Sequence, residues 1–423
     1  MTNIAVIGAG ITGVSTASAL MDRGHDVTLF DRNRYAAMQT SFANGGQLSA
    51  SNAETWNRWA TVFKGMRWML TRGAPLLVNP TPSWHKYSWM AEFVAAIPRY
   101  RQNTVATARM AIAARGLLRE KAARYGFYFD AEDRGILHIY TDPAEFAHAG
   151  RVTALLAEAG LTRRAVTPAE IRAIEPALRG DFHGGYYTES DFTGDIHRYT
   201  TGLARGIAGE GADLRFGTEI EGLRHGPDGV RVTWRQGDER HTERFDAVVI
   251  CAGVESRRFA AMLGDRVNVY PVKGYSITVR LDDESSQKAA PWVSLLDDQA
   301  KIVTSRLGPN RFRIAGTAEF NGTNLDIRDD RIRPLVKWCE RFFPGVSTEH
   351  AIPWAGLRPM MPDMMPRVGP GRRPRVYYNT GHGHLGWTLS AATAEMLAEA
   401  VAVDPALTPA RPQRAAALPM AAE

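Results

Sequence analysis

Three glycines near the amino end, Gly8, Gly10 and Gly13, constrain the fold of this 423-residue chain more than any other feature. They join the apolar run "NIAVIGAG" to "ITGVSTASALMDRG", whose small residues suit the packing face of a helix. A strand, a tight turn and a helix with G-x-G-x-x-G spacing open a Rossmann-like α/β sheet that binds a dinucleotide. Gly8 permits the turn, Gly10 lets a pyrophosphate reach the backbone, and Gly13 lets helix and strand pack closely. The helix N-terminus offers unpaired N–H groups to that anion. After Gly24, "HDVTLFDR" reads as a second strand ending at Asp31, where a carboxylate takes the ribose hydroxyls, with Arg32 beside it. An acid there disfavours a 2′-phosphate, which points to FAD or NAD over NADP.

Length and composition bound the rest. The chain is too long for one hydrophobic core and predicts two domains. Hydrophobic residues at 44% and charged residues at 23% are ordinary for a globular protein, and no apolar run approaches the ~18 residues of a membrane span. The start "MTNIAVIGAG" lacks a basic leader and cleavage site, which predicts a cytoplasmic protein. Cys251 and Cys339 fit a reducing compartment and form no metal or disulfide framework. The net charge of +6 is spread among acids without a basic run, so no nucleic-acid partner is expected. The tail "ARPQRAAALPMAAE" reads as frayed.

The segment "QTSFANGGQLSAS" follows the second strand with small polar residues and paired glycines, as a loop passing a second large group requires. A nicotinamide enzyme would more often continue with regular βα units. "TSFANGGQ" resembles the flavin-contacting segment of the D-amino acid oxidase superfamily, particularly the bacterial D-amino acid dehydrogenases (small subunit). The likeness continues in order through "RWMLTRGAPL", "GGYYTESDFTGD", "YPVKGYS", "RFRIAGTAEF", "WAGLRPMMPD" and "NTGHGHLGWTL", nearly the whole chain. Departures are Phe192 where that family usually has an acid, and Met361, Met364 and Met365 where Thr, Gly and a small polar residue are common. His384 likewise stands in place of a smaller residue.

Between these motifs, "FDAVVICAGVES" is a strand ending in the turn Ala252-Gly253, a second approach to the dinucleotide, with Cys251 as a small buried apolar residue. "DIHRYTTGLARGIAGEGADLRFGTEIEGL" reads as a helix capped by Asp195, then a strand. "VNVYPVKGYSITVRL", "KIVTSRL" and "RFRIAGTAEF" alternate apolar and polar residues, which predicts an antiparallel sheet with one wet face. The expected architecture is a discontinuous FAD-binding domain of residues 1–60, 145–265 and 350–423. A substrate domain of residues 61–144 and 266–349 is interleaved with it.

Near the end, "RVYYNT" predicts a last strand and "WTLSAATAEMLAEAVA" a helix, joined by a glycine-rich loop from Gly381 to Gly386. Such a loop lies against a flavin ring, with the helix N-terminus stabilising negative charge there. The resemblance implies non-covalent FAD, contacted also by Ser41, Asn44, Gly45, Gly46, Gln47, Gly383, His384 and Leu385. It implies that Arg358 in "GLRP" grips the substrate carboxylate, a task for which a planar guanidinium is suited. Tyr275 supplies a hydroxyl at the substrate or flavin edge, and Arg306 a weaker second anion contact. His382 is expected beside the flavin without a proton-transfer role.

The activity so implied is oxidation of D-amino acids to 2-oxo acids and ammonia, with electrons passing to a quinone or other respiratory acceptor. The alternatives are a D-hydroxyproline dehydrogenase, a glycine or sarcosine oxidase, or a flavin-binding partner subunit without catalysis. The stretch from Trp56 to Arg101 concentrates Trp and basic residues. It reads either as a surface that docks peripherally on the inner membrane or as a lid over the substrate.

Overall fold

The structure, a computed structural model, describes residues 2–69, 71 and 74–407. The strand Asn3–Ile7 alternates its side chains between two cores. Ile4 and Val6 pack with the helices Ile11–Met21 and Gly386–Ala402, whereas Ala5 and Ile7 pack with Val230, Val232 and Trp234 on the opposite face. Burial on both faces is why the run is apolar without interruption. The strand lies inside a six-stranded sheet, pairing in parallel with Asp26–Asp31 on one side and Ala247–Ile250 on the other. Asp213–Phe216 and Val376–Thr380 extend it in parallel, and Arg367–Pro370 closes one edge antiparallel. A three-stranded antiparallel ribbon, Thr218–Gly226, Gly229–Gln236 and Glu239–Phe245, supplies the cover that carries Trp234.

The predicted strand, loop and helix near the carboxyl end are Val376–Thr380, a short 3₁₀ turn at Gly383–Leu385, and Gly386–Ala402. Asp195 caps the helix Ile196–Gly209, its carboxylate accepting from the His197 and Arg198 N–H groups.

The second sheet has nine strands and is antiparallel except where Ser294–Asp297 pairs with Ile136–Tyr140 and Arg311–Phe320 with Leu76–Val78. Its strand Tyr270–Arg280 has almost no wet side, in contrast to the alternation expected. Tyr275, Ile277 and Val279 pack on Leu335, Trp338 and Phe342 of the helix Asp329–Phe342, and on the opposite face Ser276 Oγ donates to the Ala43 carbonyl of the glycine-rich loop. The cofactor loop covers the face that a solvated sheet would leave to water.

Sheet membership also cuts across the expected domain ranges. Arg164–Val166, Gly184–Thr188 and Ile352–Met360 belong to the nine-stranded sheet, although they fall inside 145–265 and 350–423. Their partners lie far away in sequence, and local periodicity carries no record of strand pairing. The tail "ARPQRAAALPMAAE" lies outside the described residues. Among the described residues no helix is long and apolar enough to cross a membrane, and no cluster of His, Cys, Asp and Glu could hold a metal.

Candidate active site

A cavity of about 950 Å³ lies between the two sheets. Small-molecule sites usually span ~300–1,000 Å³, so this one stands at the upper end, where a large ligand fits. Of the residues expected to touch cofactor or substrate, all but Gly13 and Arg306 border it. Gly13 serves the packing that its spacing implies. A Cβ there would sit 1.7 Å from the Gly8 carbonyl oxygen, and one on Gly8, whose φ is +107°, would sit 2.7 Å from the Cys251 carbonyl oxygen. Neither Gly8 nor Gly13 therefore has space for a side chain.

At this end Asp31 accepts from the Ala9 N–H at 2.7 Å and the Asn33 N–H at 2.8 Å, which locks the end of its strand to the turn. Ser41 Oγ accepts from the Ile11 N–H at the start of the first helix, leaving its own hydroxyl hydrogen for an anion. The loop from Asn44 to Gln47 is tied to the large sheet. Gln47 Nε2 donates to Ser294 Oγ and the Leu295 carbonyl, and Ser305 Oγ donates to the Gly45 carbonyl. Burial pushes the Cys251 thiol up to about 12, so it is a neutral packing group.

At the other end stands Arg358, on the strand Ile352–Met360. Its guanidinium lies on the backbone of Gly274, where a Cβ would come within 2.4 Å of Cζ, and it donates to the Thr317 carbonyl at 2.8 Å. Thr317 holds that carbonyl from a left-handed conformation, φ +59°, unusual for a β-branched residue and a form of strain found at functional sites. Desolvation pushes the Arg358 pKa down to about 10, and among the described residues no carboxylate pairs with it. A guanidinium held partly out of water, facing a cavity and with no carboxylate partner among the described residues, has the chemistry to receive an anion.

The other candidates divide. Tyr275 borders the cavity, but its hydroxyl donates to Glu319 Oε2 at 2.7 Å and is committed there rather than to a substrate. Arg306 lies elsewhere, donating to the carbonyls of Gln287, Ala290, Gly308 and Pro309. His382 turns inward, with Nε2 bonded to Thr393 Oγ1 at 2.9 Å, and burial pushes its pKa down to about 3. His384 instead faces the cavity and stacks on Trp56, ring centroids 4.7 Å apart. Phe192, Met361, Met364 and Met365 do not border the cavity. Phe192 is buried in the core of the first sheet and Met364 in a separate cluster with Trp89, while Met361 fills the space beside Gly381.

Sequence reasoning missed a polar cluster that also borders the cavity. Asp298 accepts from Tyr140 OH at 2.7 Å, receives Lys301 Nζ at 3.1 Å and lies 3.5 Å from His138 Nδ1. Burial opposes ionisation of Asp298, but Lys301 and His138 outweigh it and hold the carboxyl well below the usual range. Glu54 pairs with Arg58 and His148 at 3.2 Å each. The groups around Asp298 and around Glu54 come from distant parts of the chain, so the sequence did not announce that they share one cavity. The local signals were the i,i+4 spacing of Glu54 and Arg58 and the i,i+3 spacing of Asp298 and Lys301.

The match of residues 3–400 to the model of the DAO family, FAD dependent oxidoreductase, accounts for this arrangement. The chain belongs to that family. FAD is therefore its cofactor, and the crowded glycine turn, the anchored Asp31 and the tethered loop fit a dinucleotide that carries a second ring system. The chain is 61% identical to D-amino acid dehydrogenase 3 of Mesorhizobium japonicum, covering 96% of this chain and 98% of that one. It is 40% identical to the D-amino acid dehydrogenase of Paramagnetospirillum magneticum over 95% of each. Among solved structures, glycine oxidase from Geobacillus kaustophilus has the same fold, with a TM-score of 0.73 at 21% identity and 95% of each chain covered.

Proposed function

We propose that this flavoenzyme oxidises D-amino acids to imino acids, which water hydrolyses to 2-oxo acids and ammonia, and that it passes the electrons to a quinone or other respiratory acceptor. The observation that carries this reading is Arg358, a partly buried guanidinium with no carboxylate partner among the described residues, in a cavity that also holds the cofactor turn. The high identity to named D-amino acid dehydrogenases supports it. When bound, FAD supplies the two-electron acceptor for the α-hydrogen. The chain's own work is to hold the substrate. Arg358 takes the carboxylate in a fork of two hydrogen bonds, and the Thr317 carbonyl and Gly274 backbone keep the guanidinium from turning. His382 orients the loop from Gly381 to Gly386 through Thr393 and moves no proton.

Both cysteines are buried neutral thiols, which supports FAD held without a cysteinyl bond. Of the described residues, those within 1–60, 145–265 and 350–423 act as the cofactor unit and the others as the substrate unit, with the three exchanged strands binding the two together. The Trp-rich stretch divides between both readings made for it. Trp89 is core, its Nε1 donating to the Met360 carbonyl, and residues of the helix Trp59–Met69 border the cavity as a lid. Trp59, Phe63 and Trp84 are 55%, 61% and 82% exposed and would face the inner surface of the cell membrane. Sedimentation with anionic vesicles tests this, and no binding at low salt refutes it.

The function is tested by mixing the holoenzyme anaerobically with D- and L-amino acids, D-hydroxyproline, glycine and sarcosine while following the flavin's visible absorption. Bleaching by several D-amino acids and by no L-amino acid is the expected result. Bleaching by D-hydroxyproline, glycine or sarcosine alone, or by nothing, overturns it. Readmission of air and then of quinone identifies the acceptor.

A further inference from the structure

Among the described residues, two besides glycine border the cavity with left-handed backbone, Thr317 at φ +59° and Lys301 at φ +55°. Thr317 is the residue whose carbonyl holds Arg358. Ile302, which follows Lys301, pairs with Gly316, which precedes Thr317, and a Cβ on Gly316 would sit 2.9 Å from the Lys301 carbonyl oxygen. The lysine and the guanidinium therefore reach the cavity from one part of the large sheet. Burial, and then the charges of Arg358 and Lys301, push the pKa of His384 down to about 3, which places both cations near one ring. Left-handed backbone outside glycine costs free energy and collects where a side chain has to be aimed.

Lys301 keeps 42% of its side-chain surface accessible although burial weighs against its charge, so that surface lies on the enclosed space it borders. Among the described residues Nζ donates to Asp298 alone, at 3.1 Å, and an ammonium has three N–H donors. Asp298 has less to spare, since it also accepts from Tyr140 and lies 3.5 Å from His138 Nδ1. Tyr140 in turn accepts from Arg163, which borders the cavity and has no carboxylate partner among the described residues. Burial pushes the pKa of His138 down to about 4 and leaves it neutral, so Arg163, Lys301 and Asp298 together carry a net positive charge. Glu54 and Glu145 also act on Lys301, yet each is paired with a cation of its own, Arg58 and Lys64. Spare donors with unbalanced positive charge, away from bulk water, take an anionic acceptor.

We infer that Lys301 is a specificity-determining residue that receives the side-chain carboxylate of an acidic D-amino acid while Arg358 holds the α-carboxylate. The inference rests on the function proposed above and deepens it by naming the substrate's side chain. Nζ meets that carboxylate through the donors Asp298 leaves free, and Asp298 keeps the ammonium charged and in place before the substrate arrives.

The test compares D-glutamate with D-norvaline, which has a carbon chain of the same length and no side-chain carboxylate. In the holoenzyme kcat/KM should favour D-glutamate, and Lys301→Met should lower the ratio of the two values roughly 10- to 100-fold, the loss of a charge-assisted hydrogen bond in a site shielded from water. Lys301→Arg keeps the charge and the donors and should recover most of the ratio. Because Lys301→Met strips Asp298 of its cation, Lys301→Met is also combined with Asp298→Asn, which removes both charges of the pair and should give the same loss. An unchanged ratio, whether both values fall together or neither falls, overturns the inference, as does an Arg variant no better than Met. If the unaltered enzyme is reduced by no D-amino acid, the proposed function fails and this inference with it. Reduction by several D-amino acids without preference for D-glutamate overturns the inference and leaves the function standing.

Discussion

Replacing Arg358 with Met separates a binding role from a structural one, because the two effects have opposite signs. The side chain is shielded from bulk water, has no carboxylate partner among the described residues, and makes one protein hydrogen bond, to the Thr317 carbonyl. Holding its charge away from water lowers the pKa from 12.5 to about 10, a cost of roughly 3 kcal/mol at 1.36 kcal/mol for each tenfold change. Losing the bond to Thr317 returns about 1 kcal/mol of that. The substrate-free variant should be about as stable as the parent or ~2 kcal/mol more so, a rise of a few degrees in Tm. Catalysis should move the other way. Two charge-assisted hydrogen bonds to a carboxylate are each worth ~1.5–3 kcal/mol, so kcat/KM should fall about 10²- to 10⁴-fold. Thermal unfolding of FAD-loaded protein, followed by flavin fluorescence, gives the first quantity, and dye-linked turnover of D-alanine gives the second. A Tm lower by more than about 5 °C, or a kcat/KM within tenfold of the parent, would refute the assignment of Arg358 as a substrate anchor.

Three further outcomes follow from the same geometry. Gly13→Ala places a methyl 1.7 Å from the Gly8 carbonyl oxygen, so the protein should purify colourless; a normal flavin content would show that the turn yields. Lys273 and Glu319 form a fully buried ion pair at 3.3 Å in the large sheet, with Tyr275 on the same carboxylate. Lys273→Met should cost ~3–5 kcal/mol in urea unfolding, and Lys273→Met with Glu319→Leu should cost less than the single change. His382 and His384 have pKa values of about 3 in the fold against 6.5 unfolded. Between those limits the unfolded chain binds protons that the folded chain refuses, so stability rises with pH and is lost as pH falls from about 6.5 toward about 3. The double change His382→Gln with His384→Phe should flatten that slope in denaturation at pH 7.5 and pH 5, and an unchanged slope would contradict the burial of these rings.

Local chemistry made the cofactor end legible. The glycine spacing, the strand-ending Asp31 and the glycine-rich loop near the carboxyl end all express constraints within a few residues, and the structure places them around one cavity. Tyr275 and Arg306 were harder to place, because their use depends on partners far away in the chain. Tyr275 meets Glu319 across neighbouring strands, and Arg306 meets carbonyls of the segment from Gln287 to Ala290. Nothing in "KGYS" or "KIVTSRL" records those contacts.

The amino-acid sequence by itself determined that a dinucleotide binds, where the chain turns to receive it, and that an arginine before a proline waits at the far end. These depend on backbone freedom, helix dipoles and residue type, which act over one or two turns of chain. Only the tertiary structure decided that Arg358 has no carboxylate partner among the described residues, that His382 turns inward to Thr393 while His384 stacks on Trp56, and that Phe192 and the three methionines stay out of the site. Burial and pairing arise when distant strands and loops close around the same volume, and the free energy of a charge or a ring nitrogen depends on everything within that volume.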